Sequence, residues 1–152
     1  MDNIRSSYNV GSIFRTSDGF KIDELHLCGI TPTPKNNKIL KTSLGAEKSV
    51  HWTYYRNALD ITKKKINSGY QIISLEIDNN SIPIHKLYKK TIGNKILLIL
   101  GNETSGIDPD LRALSNMLIY IPMMGNKKSF NVTIAFGIAA FYFYFFPLKS
   151  TN

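Results

Sequence analysis

The sequence contains too little cysteine for a disulfide-stabilised protein. Cys28 is its one cysteine, so the chain cannot form an internal disulfide. The first nine residues are polar and lack the apolar stretch of a secretory signal peptide. An unpaired cysteine in a chain without such a signal favours a reducing compartment, and we therefore expect a cytoplasmic protein.

Long apolar runs and clustered metal ligands are missing as well. The longest apolar segment, residues 132–146, has 15 residues, whereas a membrane-spanning helix needs roughly 20. The three histidines, His26, His51 and His85, are far apart in the sequence and lack the spacing of zinc ligands. These absences predict a protein without a membrane span and without a metal site.

Acidic residues are scarce relative to basic ones. The chain has 11 Asp and Glu against 19 Lys and Arg, giving a formal net charge of +8, and both halves share the surplus. A basic tail on a neutral body is therefore excluded, and an anionic partner, above all nucleic acid, is favoured. The 43% of hydrophobic residues argues against a disordered chain, and the length predicts a single domain over residues 1–152.

Predicted strands and helices alternate along the chain. Strands are predicted at Glu24–Cys28, Trp52–Tyr55, Tyr70–Ile77, Ile96–Leu100 and Leu118–Ile121. Helices are predicted at Val10–Ser17, Ile39–Leu44, Arg56–Asn67, Pro109–Ser115 and Val132–Phe146. This alternation predicts an α/β fold with a mostly parallel sheet flanked by helices. Ligands in such sheets bind at the carboxyl ends of strands, which directs attention to the loops after Leu75, Leu100 and Ile121.

The last predicted helix, residues 132–146, is apolar on nearly every face. A helix without a polar face must be covered on all sides. Two interpretations remain open. The helix is buried in the core, or one face packs on the sheet and the other on a second copy of the chain.

The first segment of chemical interest is the start of the first predicted helix, where Asn9 is expected to serve as N-cap. Gly11 follows within the first turn, and Arg15 comes one turn later. A helix N-terminus with a nearby arginine is a favourable anion site. The alternative is a capped helix with an exposed arginine that binds no ligand.

The second segment, residues 100–108, leaves an apolar strand and enters a helix. Gly101 and Gly106 let the backbone approach a ligand closely, and Glu103 places a charge near the end of a buried strand. The segment matches neither a Walker A loop nor a GxGxxG fingerprint, which disfavours kinase-like and Rossmann nucleotide binding. An ordinary strand-to-helix turn remains the alternative.

The third segment, residues 121–132, connects the last predicted strand to the last helix. Ser129 or Asn131 is predicted to cap that helix, and Lys127 and Lys128 add positive charge beside it. The alternative is a capped helix next to a solvated pair of lysines.

Together these segments resemble the SpoU (TrmH) family of SPOUT RNA 2′-O-ribose methyltransferases. The first family motif is matched by Asn9, Gly11, Arg15 and Thr16. The second, a strand followed by Gly-x-Glu-x-x-Gly, is matched by Gly101, Glu103 and Gly106. The third, Ile-Pro-Met followed by Ser-x-Asn-Val, is matched by residues 121–123 and 129–132. The segment 31–47 also resembles a subgroup of this family.

The resemblance implies a fold and a set of partners. It implies a trefoil knot at the C-terminal end of the fold, an obligate homodimer and S-adenosyl-L-methionine as cofactor, bound in a bent conformation. It implies an RNA substrate, and the small size of the chain favours tRNA over rRNA. The cofactor-binding residues that it implies are Leu75, Gly101, Asn102, Ile121, Met123, Gly125, Ser129 and Asn131.

The resemblance also implies roles in catalysis. Arg15 is the implied catalytic residue, and it would reach the pocket across the dimer interface. Glu103 and Asn131 would hold the active-site loops, with Asn9 supporting the first. A guanidinium stays protonated at neutral pH, so we expect Arg15 to fix the phosphate beside the target ribose and orient its hydroxyl rather than act as a base. Ser129 would help to relay the proton.

The chain departs from the family pattern at its start, because only Met1 and Asp2 precede the segment that leads into the first motif. The hydrophobic first strand of the family is therefore expected to be missing or shortened, which leaves a sheet edge to be covered. No separate RNA-binding domain is predicted, so Lys and Arg around the dimer cleft must hold the RNA. The runs Lys63–Lys65 and Lys89–Lys90 are candidates, with a solvated helix face as the alternative.

The predicted function is S-adenosylmethionine-dependent methylation of an RNA ribose 2′-hydroxyl. One alternative is a non-catalytic RNA-binding protein that keeps the knotted fold. Against it stand the intact motif residues Asn9, Arg15, Glu103, Ser129 and Asn131. A second alternative is a knotted enzyme that methylates a base, although such relatives usually lack the Asn-to-Arg first motif.

Overall fold

Parallel strands form the centre of the fold in a computed structural model that describes residues 1–87 and 92–145. The strands are β1 Leu25–Cys28, β2 Trp52–Tyr55, β3 Gln71–Leu75, β4 Ile82–Pro83, β5 Ile96–Leu100 and β6 Met117–Tyr120. The helices are α1 Ser7–Gly19, α2 Asn37–Ser43, α3 Ala46–Ser49, α4 Ala58–Asn67, α5 Pro109–Ala113 and α6 Val132–Phe145, with one 3₁₀ turn at Ile84–Lys86. Phe146, the predicted end of the last helix, and the candidate pair Lys89–Lys90 lie outside the described residues.

The named strands pair only in parallel, which confirms the predicted α/β class. β4, β6, β3 and β5 form one sheet in that order, and β1 and β2 form another. β3 lies between its two partners, with Ile73 opposite Leu98 of β5 on one side and Met117 of β6 on the other. The trefoil knot that the family resemblance implies stays a prediction.

Residues 1–3 connect the two sheets. The Asp2 N–H donates to the Leu100 carbonyl oxygen at 2.8 Å, and the Cys28 N–H donates to the Met1 carbonyl oxygen at 2.9 Å. Asp2 and Cys28 form a single parallel bridge pair. This bridge stands in the place of the first strand of the family, which the sequence predicts to be missing or shortened. The backbone order across the whole structure is therefore β2, β1, Asp2, β5, β3, β6, β4.

Helices cover the sheet on both faces, which explains why every residue of β5 is apolar. Leu100 packs in a core cluster with Phe14 of α1 and Phe136 of α6. The preceding residue, Ile99, packs in another cluster with Leu111 of α5. Successive side chains of a strand point to opposite faces, so a strand covered on both faces needs apolar residues at every position.

The first helix begins earlier than the sequence predicts. α1 starts at Ser7, and the Ser6 hydroxyl caps it by accepting from the Asn9 N–H at 3.2 Å. The prediction that Asn9 is the N-cap is therefore wrong. Serine and asparagine cap helices about equally well, so local propensity does not distinguish the two positions.

The other predicted elements agree with the structure to within a few residues, and the structure adds β4, the 3₁₀ turn at Ile84–Lys86 and the helix α3. α2 begins at Asn37, two residues before the predicted start, because the Asn36 side chain caps it by accepting from the Lys38 N–H at 3.0 Å. The four-residue helix α3 was not predicted. A single turn lacks the apolar periodicity on which sequence-based prediction of helices depends.

The contact between α1 and α2 depends on Gly11. A Cβ atom at this position would collide with the Thr42 hydroxyl and with the Ile39 carbonyl oxygen of α2. The second of these is a backbone atom, so it cannot rotate away as a side chain could. Glycine at position 11 therefore sets how closely the two helices approach.

We predict that Gly11→Ala lowers the free energy of unfolding by about 2 kcal/mol, because the added methyl group forces α1 and α2 apart. The measurement is urea denaturation at neutral pH. Gly19→Ala is the matched control on the same helix, since a Cβ there meets nothing within 4 Å. Equal stability of the two variants would contradict the prediction.

Candidate active site

The loops that follow Leu75, Leu100 and Ile121 meet at one cavity of about 580 Å³. It lies at the carboxyl ends of β3, β5 and β6, where ligands of parallel α/β sheets bind. Residues that line it are Leu75–Ile77, Leu100–Thr104, Gly106, Tyr120, Ile121, Lys128–Val132 and Ala135. A volume of this size lies within the range of small-molecule binding sites.

The second loop is folded tightly on itself. The Asn102 N–H donates to the Gly106 carbonyl oxygen at 2.9 Å, and the Gly106 N–H donates back at 3.0 Å. A Cβ atom on Gly101 would lie 2.5 Å from the Gly106 carbonyl carbon, so glycine is required there by close approach of the backbone. The Asn102 side-chain oxygen accepts from the N–H groups of Thr104 at 2.8 Å and Ser105 at 3.0 Å. The loop presents its backbone to the cavity as a fixed surface.

Glu103 connects this second loop to the start of α1. Its carboxylate accepts from the backbone N–H of Arg5 at 3.0 Å and of Ser6 at 3.2 Å. The Asn9 side-chain amide donates to the same carboxylate at 2.9 Å. Partial burial raises the pKa of Glu103, but the hydrogen bonds from Arg5 and Asn9 outweigh it and hold the pKa below its usual value. Glu103 is therefore an ionised anchor for the first motif.

Asn131 connects the third loop to the same group of residues. Its side-chain oxygen accepts from the Thr133 N–H at 2.9 Å at the start of α6, while its amide nitrogen donates to the Asn9 side-chain oxygen at 3.3 Å. The sequence left Ser129 and Asn131 as alternative caps of α6, and Asn131 makes the capping hydrogen bond. Because Asn9 also binds Glu103, one chain of hydrogen bonds joins all three motifs.

Glu76 is a site residue that sequence reasoning missed. It lines the cavity, and its carboxylate accepts from the Ile107 N–H at 2.9 Å, where the second loop turns into α5. Its position in the sequence could have identified it as a site residue. Glu76 is an acidic residue directly after β3, at the end of the strand where a ligand is expected.

The structure brings most of the sequence-predicted residues together. Those that line the cavity are Leu75, Gly101, Asn102, Glu103, Ile121, Ser129 and Asn131. Asn9 lies beside it through its contacts with Glu103 and Asn131. Met123 and Gly125 lie outside the cavity lining.

Arg15 does not lie in the cavity of its own chain. It is exposed on α1, six residues beyond Asn9, and it is not part of the cavity lining. The ion pairs formed among the described residues do not include it. Its guanidinium is therefore accessible to a ligand or to another copy of the chain.

Within residues 1–87 and 92–145, neither a metal site nor a membrane-spanning helix is present. No three His, Cys, Asp or Glu residues there are grouped so that they could hold a metal ion. No helix in that part of the chain is long and apolar enough to cross a membrane.

The chain belongs to the SpoU rRNA Methylase family, whose profile matches residues 1–141. One relative is an uncharacterised tRNA/rRNA methyltransferase of Borreliella burgdorferi, which is 33% identical over 144 residues; the match covers 93% of this chain and 60% of that protein. Another is the tRNA (guanosine(18)-2′-O)-methyltransferase of Escherichia coli, 24% identical over 135 residues, with 89% and 57% covered. The chain thus spans about three fifths of the length of these relatives.

Solved structures share the fold. An AdoMet-bound rRNA methyltransferase from Sinorhizobium meliloti superposes with a TM-score of 0.84 at 25% identity, covering 92% of this chain and 52% of that one. A TrmH/SpoU tRNA modifying enzyme from A. aeolicus superposes with a TM-score of 0.80 at 26% identity, covering 92% and 69%. The α/β architecture described above is therefore that of the SpoU/TrmH enzymes.

We predict that Glu103→Gln lowers the free energy of unfolding at pH 7 by about 1 kcal/mol, because three hydrogen bonds lose their charged acceptor. This value is small for hydrogen bonds to a charged group, because Glu103 is largely exposed. The depressed pKa of Glu103 makes its contribution fully present above the ordinary value of 4.5, and it is lost as the pH falls through the folded-state pKa. The difference from wild type should therefore shrink as the pH falls below the ordinary value of 4.5. Denaturation curves across this range measure it, and a difference that is constant with pH would contradict the assignment.

Proposed function

We propose that the chain is an S-adenosylmethionine-dependent RNA ribose 2′-O-methyltransferase. The observation that carries the proposal is the chain of hydrogen bonds from Glu103 through Asn9 to Asn131, which gathers three separate motifs of a methylase family at one cavity. Relatives named as tRNA 2′-O-methyltransferases, and a neighbouring structure with AdoMet bound, support the same activity.

The cavity suits a cofactor that is partly apolar and partly charged. Apolar side chains from the strand ends and α6 line one part of it, namely Leu75, Leu100, Ile121, Val132 and Ala135. Polar groups line the rest, among them the Asn102 loop backbone and the Ser129 hydroxyl. An adenosine bearing an amino-acid tail needs this combination, since its base and ribose edges require hydrogen bonds while its rings require apolar contact.

Bound S-adenosylmethionine would supply an activated methyl group on a sulfonium, so that transfer to the ribose 2′-oxygen needs alignment and loss of the hydroxyl proton. Glu103 is a positioning residue in this scheme, because its carboxylate already accepts three hydrogen bonds and its lowered pKa makes it a weak base. Asn9 and Asn131 hold the first and third loops in place. Ser129 lines the cavity, and in this scheme its hydroxyl relays the proton towards solvent.

Arg15 fits the role of a phosphate anchor. A guanidinium binds phosphate oxygens in a fixed, forked geometry and keeps its charge at any physiological pH. Its exposure on α1 leaves it free to hold the RNA backbone beside the target ribose. Its position outside the cavity of its own chain supports the arrangement in which it serves the cavity of a second copy.

The exposed face of α6 supports a homodimer. Phe136, Ala139 and Ala140 of this helix are buried in the chain, whereas Ile134 and Ile138 are 53% and 36% exposed. Further exposed apolar side chains on the helix are Phe141, Tyr144 and Phe145. This combines the two interpretations that the sequence left open: one face packs on the sheet, and the other forms an apolar surface that a second copy would cover.

The substrate class follows from charge and family. RNA is favoured by the net charge of +8 and by the named activities of the relatives, with tRNA preferred over rRNA. A cytoplasmic location is part of the same proposal, because the one cysteine of the sequence, Cys28, is a free thiol.

We predict that the protein transfers label from methyl-labelled S-adenosylmethionine to bulk tRNA, yielding a 2′-O-methyl nucleoside that resists alkaline hydrolysis. Total rRNA is assayed in parallel. Cofactor binding, measured by calorimetry, without transfer to either RNA would support the non-catalytic RNA-binding alternative instead. A methylated base in place of a methylated ribose would also refute the proposal.

We predict that Arg15→Ala lowers the rate of methyl transfer about 100-fold or more, because the phosphate beside the target ribose loses its anchor. Affinity for S-adenosylmethionine should change by less than about threefold, since Arg15 lies outside the cavity. Arg56→Ala, which removes an exposed arginine next to α4, is the matched control and should keep full activity. A comparable loss of cofactor affinity in the Arg15 variant would contradict this division of roles.

We predict that the wild-type protein has twice its chain mass of 17.2 kDa in light scattering. Ile134→Glu combined with Ile138→Glu should give the mass of one chain, because two charges on the exposed face of α6 oppose a second copy. Ile66→Glu is the matched control on α4, where Ile66 is 38% exposed. A wild-type protein with the mass of one chain would refute the homodimer.

A further inference from the structure

A basic surface lies on α2 and at the start of α1, beside the cavity. Lys35, Lys38 and Lys41 are all exposed, and Arg5 is exposed just before α1. Lys38 and Lys41 are three residues apart on a helix, which places them on the same side. We call these four residues the α2 surface.

Glu47, the acidic residue nearest to α2 in sequence, does not neutralise this surface. Glu47 accepts hydrogen bonds from the Ser43 hydroxyl at 2.5 Å and from the Gly45 N–H at 3.1 Å, at the start of α3. The ion pairs formed among the described residues include none of the four basic residues. The positive charge is therefore available to an anionic partner.

Tyr8 lies between this surface and the cavity. It is 49% exposed, and its carbonyl oxygen accepts from the Thr42 hydroxyl of α2 at 3.0 Å. Both of its neighbours in the chain are anchored: the Ser7 hydroxyl accepts from the Asn36 amide at 3.1 Å, and the Asn9 amide donates to Glu103 at 2.9 Å. The backbone that carries the exposed ring is thus held in place on both sides.

An exposed aromatic ring on an anchored backbone, in contact with a helix that carries exposed lysines, is a combination that suits unpaired nucleic acid. Lysines contact the phosphates, and a base of any identity can stack on the ring. Tyr8 immediately precedes Asn9, which contacts the cavity-lining residues Glu103 and Asn131. A base stacked on Tyr8 would therefore lie close to the nucleotide whose ribose enters the cavity.

We propose that Tyr8 stacks on an unpaired base of the RNA substrate while Lys35, Lys38 and Lys41 bind the adjoining phosphates. The inference rests on the proposed RNA methylation and adds which surface of the chain holds the substrate. It also defines the substrate as RNA whose target nucleotide has an unpaired neighbour. Leu40 and Leu44 are exposed on α2 as well, so a second copy of the chain is the competing occupant.

The first test removes the charge. Lys35→Ala combined with Lys38→Ala should weaken binding of bulk tRNA about tenfold at 0.1 M salt, and lower the slope of log affinity against log salt by about 1.5. Lys86→Ala combined with Lys95→Ala removes two exposed lysines away from α2 and serves as the matched control, with affinity within about twofold of wild type. Equal effects of the two double variants would overturn the role of the α2 surface.

The second test removes the ring. Tyr8→Ala should weaken tRNA binding about tenfold, whereas Tyr8→Phe and Tyr8→Trp should stay within about twofold, because stacking needs the ring and not the hydroxyl. Tyr54→Ala is the matched control, since Tyr54 is 50% exposed on β2. Thermal melting and calorimetric affinity for S-adenosylmethionine should be unchanged in all of them. Loss of binding in the Phe variant, or none in the Ala variant, would overturn the stacking role.

The same samples separate failure of this inference from failure of the proposed function. If the wild-type protein methylates RNA but the Tyr8 and lysine variants behave like their controls, the substrate lies elsewhere and the proposed function stands. If wild type neither binds nor methylates tRNA or rRNA, both proposals are overturned. A change of mass in light scattering for Tyr8→Ala would show that this surface contacts a second copy, and would overturn the inference alone.

Discussion

The carboxylate of Glu103 joins the loop after β5 to the start of α1. It accepts hydrogen bonds from the two backbone N–H groups just before α1 and from the side chain of Asn9, which in turn binds Asn131 at the start of α6. Without this charge, the start of α1 would leave donors unpaired beside the cavity, and the loop after β5 would lose its contact with the first motif. The positions of the candidate catalytic residues therefore depend on one ionised side chain.

The two acidic residues at the site, Glu103 and Glu76, have the same use. Both follow the end of a strand, and the carboxylate of each accepts from backbone N–H groups of another segment. Carboxylates used in this way hold loops in place. Under the proposed function, phosphate binding and proton transfer would then fall to a cationic side chain and a hydroxyl, Arg15 and Ser129.

The sequence predicts the fold class and most of the elements, because apolar periodicity and capping residues are local signals. The motifs also predict which loops converge, since the carboxyl ends of neighbouring parallel strands meet at one edge. The partner of Asn9 could not be predicted in the same way. Its main contact is with Glu103, 94 residues away, and the local preference for asparagine as a helix cap pointed to a different role. Glu76 was missed for a related reason, because its carboxylate binds the backbone N–H of Ile107, which is 31 residues away in the sequence.

The hydrogen bond between Asn9 and Asn131 spans 122 residues of sequence. Contacts of such long range form late, because the chain must first pay the entropy of closing a large loop. During synthesis, the first motif emerges from the ribosome long before its partner exists, and α6 is capped by the same asparagine that completes the site. Docking of the last helix and completion of this chain of hydrogen bonds therefore occur together, because the Asn131 side chain takes part in both.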